Sequence, residues 1–374
     1  MHQCTPEITI IGGGLVGLSV ALGLLKAGQR VCVLDGADGD ARASQGNFGL
    51  IWGQGKGADF APYANWTFDA LAAWPTFAQQ LRELSGIDVA LDQPGGYEFF
   101  TDPTEMDSFK AELVQQASHL GNHACYEMLS GDDLRNQMTG IGSDVVGASF
   151  SPRDGHVNPL RLLRALRCSV QAMSGHVRLG ATVSAIRPQP RGGFALTLAE
   201  GEALYTEQVV LGAGLGAACL ARDLGFITQV RPQLGELLIT EKLGYRLPFL
   251  SSTIRQVDEG GVQIGGTKAN AGLDDRESLP IMSKLAQHAV TVFPALADVR
   301  VVRAWGALRV MSPDGYPVYA KSAAHPGAFL VTCHSGVTLA PLHASVLADW
   351  ILNTSPTPDL EAFDECRFAL SHAA

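Results

Sequence analysis

The chain has 374 residues, of which 46% are hydrophobic and 17% are charged, and its formal net charge is −10. This length is sufficient for two domains with cores of their own, and the apolar content excludes a disordered protein. Lysine and arginine form no basic cluster, so we expect no nucleic acid partner.

The cysteines and the amino-terminal segment bear on the cellular compartment. The seven cysteines are scattered without a C-x-x-C pair, which argues against a metal centre and favours reduced thiols in the cytoplasm. The first residues lack the basic and apolar segments of a signal peptide. The apolar run at 209–220 is too short to cross a bilayer, so we expect no membrane span.

A complete β-α-β unit is predicted at the start of the chain. Residues 7–11 form a short apolar strand, and a glycine-rich turn follows it directly. Leucines at helical spacing then run from Leu15 to Leu25, and Gly28 ends the helix. Residues 31–34 form a second apolar strand. Such a unit is the core of a dinucleotide-binding fold.

The turn of this unit has the sequence IGGGLVG and ends at Gly17. Gly12 permits the tight turn, Gly14 lets the backbone approach a pyrophosphate, and Gly17 lets the helix pack against the strand. The amino terminus of the helix offers N–H groups to the phosphates. Asp35 follows about 20 residues later, where a carboxylate binds ribose hydroxyls. The unit therefore predicts FAD or NAD, because an acid at this place disfavours the 2′-phosphate of NADP.

A long loop and two helices are predicted in the middle of the chain. Residues 36–57 are rich in Gly, Ser and Asn, and a structureless loop of this length is either disordered or functional. Residues 66–84 place aromatic and aliphatic side chains on one helical face, and Pro75 predicts a kink or a new start. Another helix begins after Asn158, a suitable N-cap residue, with Pro159 at its first position.

Strands dominate the second half of the chain. The strand 208–211 ends in a second glycine-rich turn, Gly212 to Gly214, which predicts that the ligand returns to the same sheet edge. After Val230 the pattern is typical of antiparallel strands. The further predicted elements are strands at 237–240, 253–257, 262–264, 299–310 and 329–333 and helices at 280–293 and 337–352.

Four segments of the sequence resemble the D-amino-acid oxidase and glycine/sarcosine oxidase superfamily of FAD-dependent enzymes. They are IGGGLVG with Asp35, RASQGNFG at 42–49, LGAG at 211–214, and WGALRVMSPDGYP followed by FLVTCHSGVTLAP after Ala304. The resemblance spans essentially the whole chain. The segments NFGLIWGQGKG and IRQVDEGGVQIGG are most similar to flavin subunits of bacterial hydroxyproline, proline and opine dehydrogenases.

The resemblance implies an α/β protein, α+β overall, in which a Rossmann-like FAD-binding domain is interleaved with an antiparallel β-sheet substrate domain. We expect the FAD-binding domain over residues 1–92, 147–225 and 326–374. The substrate-binding domain is expected over residues 93–146 and 226–325.

The resemblance also implies which residues bind the cofactor. Asp35 would bind the adenosine ribose and Val183 would contact adenine through its backbone. Residues 334–339 would lie at the pyrimidine edge of the flavin, where a helix amino terminus stabilises the negative charge of its reduced form. The expected FAD-binding residues are Gly12, Gly13, Gly14, Leu15, Val16, Gly17, Asp35, Gly36, Ala43, Ser44, Gln45, Asn47, Phe48, Gly49, Leu50, Val183, Gly212, Ala213, Gly214, Gly306, His334, Ser335, Gly336, Val337, Thr338 and Leu339.

Arg309 is the main candidate for the substrate site. In glycine oxidase-like enzymes an arginine in this segment pairs with the substrate carboxylate, and the planar guanidinium suits such bidentate pairing. The alternative is a surface arginine at a strand end, and Arg303 and Arg255 are weaker candidates for the same role. Trp52 and Gln54 are further candidates that line the pocket or only pack.

Two differences from related flavoenzymes indicate how the cofactor is held and which reaction is not expected. Monomeric sarcosine oxidases tether flavin through a cysteine in the segment that corresponds to 305–313, and no cysteine occurs there, so we expect non-covalent FAD. Flavin hydroxylases carry a Gly-Asp motif that is absent from 329–341, which argues against monooxygenation. No metal is expected.

The expected reaction is oxidation of a C–N bond next to a carboxylate, by hydride transfer to flavin N5. The substrate is a small amino acid or secondary amine, and hydroxyproline, proline, sarcosine, opines and D-amino acids all remain open. The acceptor is either oxygen, in an oxidase, or a partner flavin or iron–sulfur subunit, in a dehydrogenase, which the resemblance favours. The alternatives are a non-catalytic flavin subunit and an NAD dehydrogenase.

Overall fold

The computed structural model describes residues 6–36, 43–354, 356 and 358–370. Cys4 and Arg42 lie outside the described residues. The α-helices of the described part are α1 Leu15–Lys26, α2 Ala61–Ser85, α3 Pro103–Leu120, α4 Gly131–Gln137, α5 Pro159–Ala172, α6 Ala217–Asp223, α7 Leu279–Val292, α8 Ala340–His343, α9 Val346–Leu352 and α10 Cys366–Leu370.

The strands of the same described ranges are β1 Ile8–Ile11, β2 Val31–Asp35, β3 Leu50–Ile51, β4 Gly96–Phe100, β5 Glu127–Ser130, β6 Gly147–Ser151, β7 Gly155–His156, β8 His176–Leu179, β9 Val183–Pro188, β10 Phe194–Leu198, β11 Ala203–Thr206, β12 Gln208–Leu211, β13 Arg231–Lys242, β14 Ile254–Gln256, β15 Gly261–Ile264, β16 Val301–Met311, β17 Val318–Lys321 and β18 Ala328–Thr332.

The amino-terminal unit forms the centre of a largely parallel sheet. The order of its described strands is β17-β18-β12-β1-β2-β8, and β1 pairs in parallel with both β2 and β12. Every residue of β1, β2 and β18 is buried, which is why these strands read as continuous apolar runs. Helix α1 packs against α5, α8 and α9 on this sheet. The predicted β-α-β unit and fold class are confirmed.

Antiparallel strands form the second part of the structure. The order β14-β15-β13-β16 places the predicted hairpin, β14 and β15, beside the long strand β13. Strand β13 was expected only at 237–240, but it begins at Arg231 and pairs with β16 along its length. The prediction missed its first half because Arg231, Gln233 and Glu236 interrupt the apolar pattern.

One helix prediction is narrowed and another needs correction. Helix α2 is a single helix through Pro75, so Pro75 does not start a new helix. The neighbouring Trp74 is completely buried, so packing compensates for the backbone hydrogen bond that proline lacks. The helix expected at 337–352 is instead two short helices, α8 and α9, separated at Ser345. Helix α1 crosses at this break, where a Cβ on Gly23 would lie 2.9 Å from the backbone of Ala344.

The described residues contain neither a membrane-spanning helix nor a metal-binding cluster. No helix there is both long and apolar enough to cross a membrane. In the same part of the chain, no group of three or more His, Cys, Asp and Glu side chains is arranged to hold a metal ion.

Candidate functional site

A cleft of about 250 Å³ opens at the carboxyl ends of the parallel strands β1, β2, β12 and β18. This is the edge at which ligands bind in open α/β sheets. Most of the predicted cofactor-binding residues line it. They are Gly12, Gly13, Gly14, Leu15, Val16, Asp35, Gly36, Ala43, Ser44, Gln45, Asn47, Val183, Gly212, Ala213, Gly214, His334 and Gly336.

The glycines of the first turn leave no room for side chains. Gly12 has a φ of 112°, and a Cβ there would lie 2.5 Å from the Gly212 carbonyl oxygen. A Cβ on Gly13 would lie 2.9 Å from Cβ of Asp35, and one on Gly17 would lie 2.0 Å from the Gly12 carbonyl oxygen. Because only glycine fits, the backbone itself forms the floor of the cleft, as a pyrophosphate group requires.

Hydrogen bonds orient the polar side chains at the mouth of α1. The Gly13 N–H donates to Oδ1 of Asp35 at 2.9 Å, and the Leu15 N–H donates to Oγ of Ser44 at 3.0 Å. Gly14 at the N-cap has no side chain to cover the first turn of α1. The amino terminus of α1 therefore faces the cleft. Its backbone N–H groups fit the phosphates of a dinucleotide, and the Asp35 carboxylate fits the ribose.

The cleft also has lining residues that sequence reasoning did not identify. Leu163 and Arg167 of α5 are among them. Nε of Arg167 is buried and has no hydrogen-bond partner among the described residues. The sequence contains no signal for this role, because Arg164 of the same helix looks equivalent but is exposed.

The remaining predicted cofactor residues lie outside the lining of this cleft. Thr338 joins two segments, since its Oγ1 accepts from the Trp52 N–H and donates to the Leu50 carbonyl oxygen, both at 3.3 Å. Phe48 lies under the guanidinium of Arg255 at 5.5 Å. The whole set is Gly17, Phe48, Gly49, Leu50, Gly306, Ser335, Val337, Thr338 and Leu339. Their role toward FAD stays a prediction.

Arg309 is a half-buried cation held by backbone oxygens. Its Nη1 donates to the carbonyl oxygens of Thr267 at 2.8 Å and Leu234 at 3.3 Å. Burial lowers the pKa of Arg309, but an arginine remains charged at neutral pH. No carboxylate of the described chain pairs with it, and its hydrogen bonds there use only Nη1. The edge formed by Nη2 and Nε is therefore available to an anion.

Arg309 lies on the face of β16 whose other side chains contact the loop at Gly46. Residues 305, 307 and 309 share a face of this strand, since side chains alternate along a strand. Trp305 on that face donates from Nε1 to the Gly46 carbonyl oxygen at 3.3 Å. A Cβ on Gly46 would lie 2.3 Å from Cβ of Ala307. Gly46 of the loop and Arg309 thus lie on one side of the strand, whereas Leu308 and Val310 on its other side line the cleft.

The two weaker arginine candidates are placed differently. Arg255 is 2% exposed and donates to Oε1 of Gln263 at 2.6 Å and to Nδ1 of His156 at 2.9 Å. Arg303 is exposed and lies over the ring of Trp305. Neither combines partial burial with an available edge, so Arg309 is the best placed of the three.

Gln54 belongs to a buried hydrogen-bond network. Its amide donates to Oδ2 of Asp154 at 2.8 Å and to the Gly96 carbonyl oxygen at 3.0 Å, and its Oε1 accepts from Ser149 at 2.6 Å. Burial raises the pKa of Asp154 to about 7. Protein groups therefore occupy the hydrogen-bonding atoms of Gln54. Its contact with substrate stays a prediction, as does that of Trp52, whose ring packs on Gly96.

Comparisons with known proteins agree with this geometry. The profile of the family DAO, FAD dependent oxidoreductase, matches residues 7–350. An opine oxidase subunit of Agrobacterium tumefaciens (strain Ach5) is 40% identical over 370 residues, covering 98% of this chain and 99% of that protein. The corresponding opine oxidase subunit of Rhizobium meliloti is 39% identical over 368 residues, with coverage of 98% and 99%.

A solved structure supports the same fold. The crystal structure of glycine oxidase from Geobacillus kaustophilus superposes with a TM-score of 0.86 at 24% identity, covering 96% of this chain and 98% of that one. The family profile spans nearly the whole chain, and the glycine floor and Asp35 fit the cofactor that its description names. The chain belongs to the DAO family of FAD-dependent oxidoreductases, as the sequence resemblance predicted.

Proposed function

We propose that this enzyme oxidises an opine-like secondary amine, in which the nitrogen joins two carboxylate-bearing carbons, and passes the electrons to a partner protein. The chain is an FAD-dependent oxidoreductase acting on the C–N bond of an amino acid or amine. The narrower substrate class rests on its similarity to two opine oxidase subunits. The observation that carries the proposal is the available edge of Arg309.

The residues that line the cleft would hold FAD. We assign the pyrophosphate to the backbone of Gly12, Gly13 and Gly14, and the adenosine ribose to Asp35. FAD, when bound, supplies the acceptor for the hydride that leaves the carbon next to nitrogen. The chain contributes the binding and the orientation.

Arg309 would bind one substrate carboxylate through Nη2 and Nε. Bidentate pairing fixes the position of the carboxylate and of the carbon attached to it. Such positioning supplies much of the rate of a reaction that needs alignment of one C–H bond. The amine must be neutral to release a hydride, and a desolvated pocket favours the neutral form. The resulting imine is hydrolysed by water.

The route of the electrons is the second part of the proposal. Both opine oxidase relatives are named as subunits, so those proteins are parts of larger enzymes. We propose a partner flavin or iron–sulfur subunit as acceptor, with oxygen as the alternative. Formation of hydrogen peroxide at the rate of substrate oxidation under air would favour oxygen. The cytoplasmic location stays a prediction.

We also propose a division into two domains close to the expected one. One apolar core of the described structure has its buried members at 99–148 and 238–296, which supports a substrate-binding domain built from two stretches of chain. Strand β6 pairs with β4 and β5. We therefore propose to include residues 147–151 in the substrate-binding domain rather than in the FAD-binding domain.

An anaerobic visible spectrum tests the proposal. Purified protein is titrated with opines, hydroxyproline, proline, sarcosine and primary amino acids while the flavin band is followed. Bleaching by an opine at the lowest concentration is the expected result. Bleaching only by a primary amino acid would contradict the substrate class. A flavin band that no compound bleaches, even with partner subunits added, would leave the non-catalytic flavin subunit as the better interpretation.

A further inference from the structure

The segment that follows β15 runs beside β13 and brings Lys268 into the same sheet as Arg309. Leu234 of β13 and Ala269 exchange backbone hydrogen bonds of 2.9 and 3.0 Å in an antiparallel bridge. Lys268, the residue before Ala269, is therefore the cross-strand neighbour of Gly235. Because the side chains of such neighbours point to the same face of a sheet, Lys268 shares a face with Gly235.

Arg309 lies across β13 on this same face. Its guanidinium occupies the space over Gly235, where an added Cβ would lie 2.6 Å from Nη1. Nη1 also donates to the carbonyl oxygen of Thr267, the residue directly before Lys268, at 2.8 Å. Cβ atoms of cross-strand neighbours are about 5 Å apart, so the long side chain of Lys268 starts close to the guanidinium. One small ligand is therefore within reach of both cations.

The shared face of the sheet is directed at the loop 43–49. A Cβ on Gly265, shortly before Lys268 in the same segment, would lie 3.0 Å from the ring of Phe48. On β16, Trp305 donates to the carbonyl oxygen of Gly46 at 3.3 Å. Lys268 is thus on the side of the sheet that faces the proposed cofactor loop, as Arg309 is.

Lys268 is available to an anion. It is exposed, and its ammonium group forms no ion pair with a carboxylate of the described ranges. The charge of Lys268 and a hydrogen bond from Ser252 lower the pKa of Glu98, but burial outweighs both and raises it to about 7. Glu98 is therefore only partly ionised at neutral pH and is a weak counter-ion. Arg309 and Lys268 together form a pair of cations without a paired carboxylate in the described chain.

We propose that Lys268 binds the second carboxylate of the substrate while Arg309 binds the first. In an opine-like amine only the nitrogen and its two attached carbons separate the carboxylates, so a substrate held by one cation presents its other carboxylate to a cation beside it. Arg309 fixes the reacting end through its planar fork, whereas the flexible stem of Lys268 adapts to the second group. The inference rests on the proposed function and names the residue that selects dicarboxylic amines over amino acids with one carboxylate.

Binding of a dicarboxylate that the enzyme does not oxidise tests this inference. Oxydiacetate has an ether oxygen in place of the amine nitrogen, and ethoxyacetate is the same molecule with a methyl group in place of one carboxylate. Each is titrated into the FAD-loaded protein in a calorimeter. The original protein should prefer oxydiacetate, and Lys268→Met should raise the Kd for oxydiacetate about tenfold, as loss of a hydrogen bond to a charged group does. The Kd for ethoxyacetate should change little.

Two further variants control for charge and for position. Lys268→Arg keeps the positive charge and should retain most of the affinity for oxydiacetate. Lys242→Met is the matched control, because Lys242 is exposed at the other end of β13. The inference is overturned if the original protein shows no preference for oxydiacetate, if Lys268→Met leaves its Kd unchanged, or if Lys242→Met raises it equally. An equal rise for both ligands in Lys268→Met would also overturn it, since that result indicates a general disturbance around Arg309.

The inference and the proposed function fail in different ways. If no amine reduces the flavin but the binding of oxydiacetate depends on Lys268, the proposed reaction is wrong and the dicarboxylate site stands. If an opine reduces the flavin but neither its KM nor the Kd for oxydiacetate responds to Lys268→Met, only the inference about Lys268 is wrong.

Discussion

The guanidinium of Arg309 lies directly over the backbone of Gly235, where an added Cβ would be 2.6 Å from Nη1. The two residues are on neighbouring strands, since Gln233 is the register partner of Arg309 in the pairing of β13 with β16. Glycine at 235 thus provides the space in which the arginine lies while it donates to Thr267. The orientation of the proposed carboxylate anchor depends on a residue that carries no functional group.

Gly235→Ala should therefore impair substrate binding more than folding. The new methyl group would displace the flexible end of Arg309 rather than any backbone atom. We expect kcat/KM for the best amine substrate to fall by between about tenfold and a hundredfold, as displacements of about 1 Å typically cause. The thermal midpoint should change little. Gly244→Ala is the control, because a Cβ there meets nothing within 4 Å, and an equal effect in both variants would contradict the account.

Gly13→Ala should weaken FAD binding. A Cβ at this position would lie 2.9 Å from Cβ of Asp35, so it would push away the carboxylate that accepts from the Gly13 N–H. Loss of a hydrogen bond to a charged group costs about 1.5–3 kcal/mol, which is roughly a tenfold to hundredfold increase in the Kd for FAD. The Kd is measured by titrating the apoprotein with FAD and following the flavin fluorescence. Unchanged affinity would argue against Asp35 as the ribose ligand.

The fold was largely predictable from local sequence pattern, whereas parts of the site were not. The β-α-β unit was predictable because glycine spacing and leucine periodicity act within about 30 residues. The break between α8 and α9 was not, because the helical pattern continues through Ser345 and only the crossing of α1 at Gly23 distinguishes it. Arg167 was not identified either, since its place in the lining depends on how α5 packs against the cleft, which no local sequence pattern shows.

Arg167→Gln should raise the Kd for FAD several-fold to tenfold. The side chain lines the cleft, and its Nε is buried without a partner in the described structure, so a bound ligand would satisfy it. Arg164→Gln is the matched control, one turn away on the same helix and exposed. The comparison is made by isothermal titration of the two apoproteins with FAD. If both variants bind like the original protein, Arg167 does not contact the cofactor.

Asp154 should make stability fall as the pH rises from about 4 to about 7. Burial raises the pKa of this carboxyl group from 3.8 to about 7, so the folded state favours its protonated form. The stabilisation is complete below the unfolded pKa and is lost as the pH approaches the folded one. The loss is at most about 4 kcal/mol for a shift of this size.

Denaturant unfolding of Asp154→Asn at several pH values from 4 to 8 measures this contribution. Relative to the original protein, the variant should gain in free energy of unfolding as the pH rises. Asp144→Asn, at an exposed position, should show no such trend. A parallel pH dependence in the Asp154→Asn and original proteins would show that Asp154 titrates normally.

Anaerobic flavin reduction by an amino acid substrate and by its methyl ester tests the central claim most directly, using the original protein and Arg309→Met. The account predicts that the original protein strongly prefers the acid and that Arg309→Met loses about 30-fold to 100-fold in kcat/KM for the acid alone, as expected for a charged hydrogen-bonded pair. Arg303→Met, on the same strand but exposed, should behave like the original protein. Equal loss for acid and ester, or no loss in Arg309→Met, would contradict the assignment of Arg309 as the carboxylate anchor.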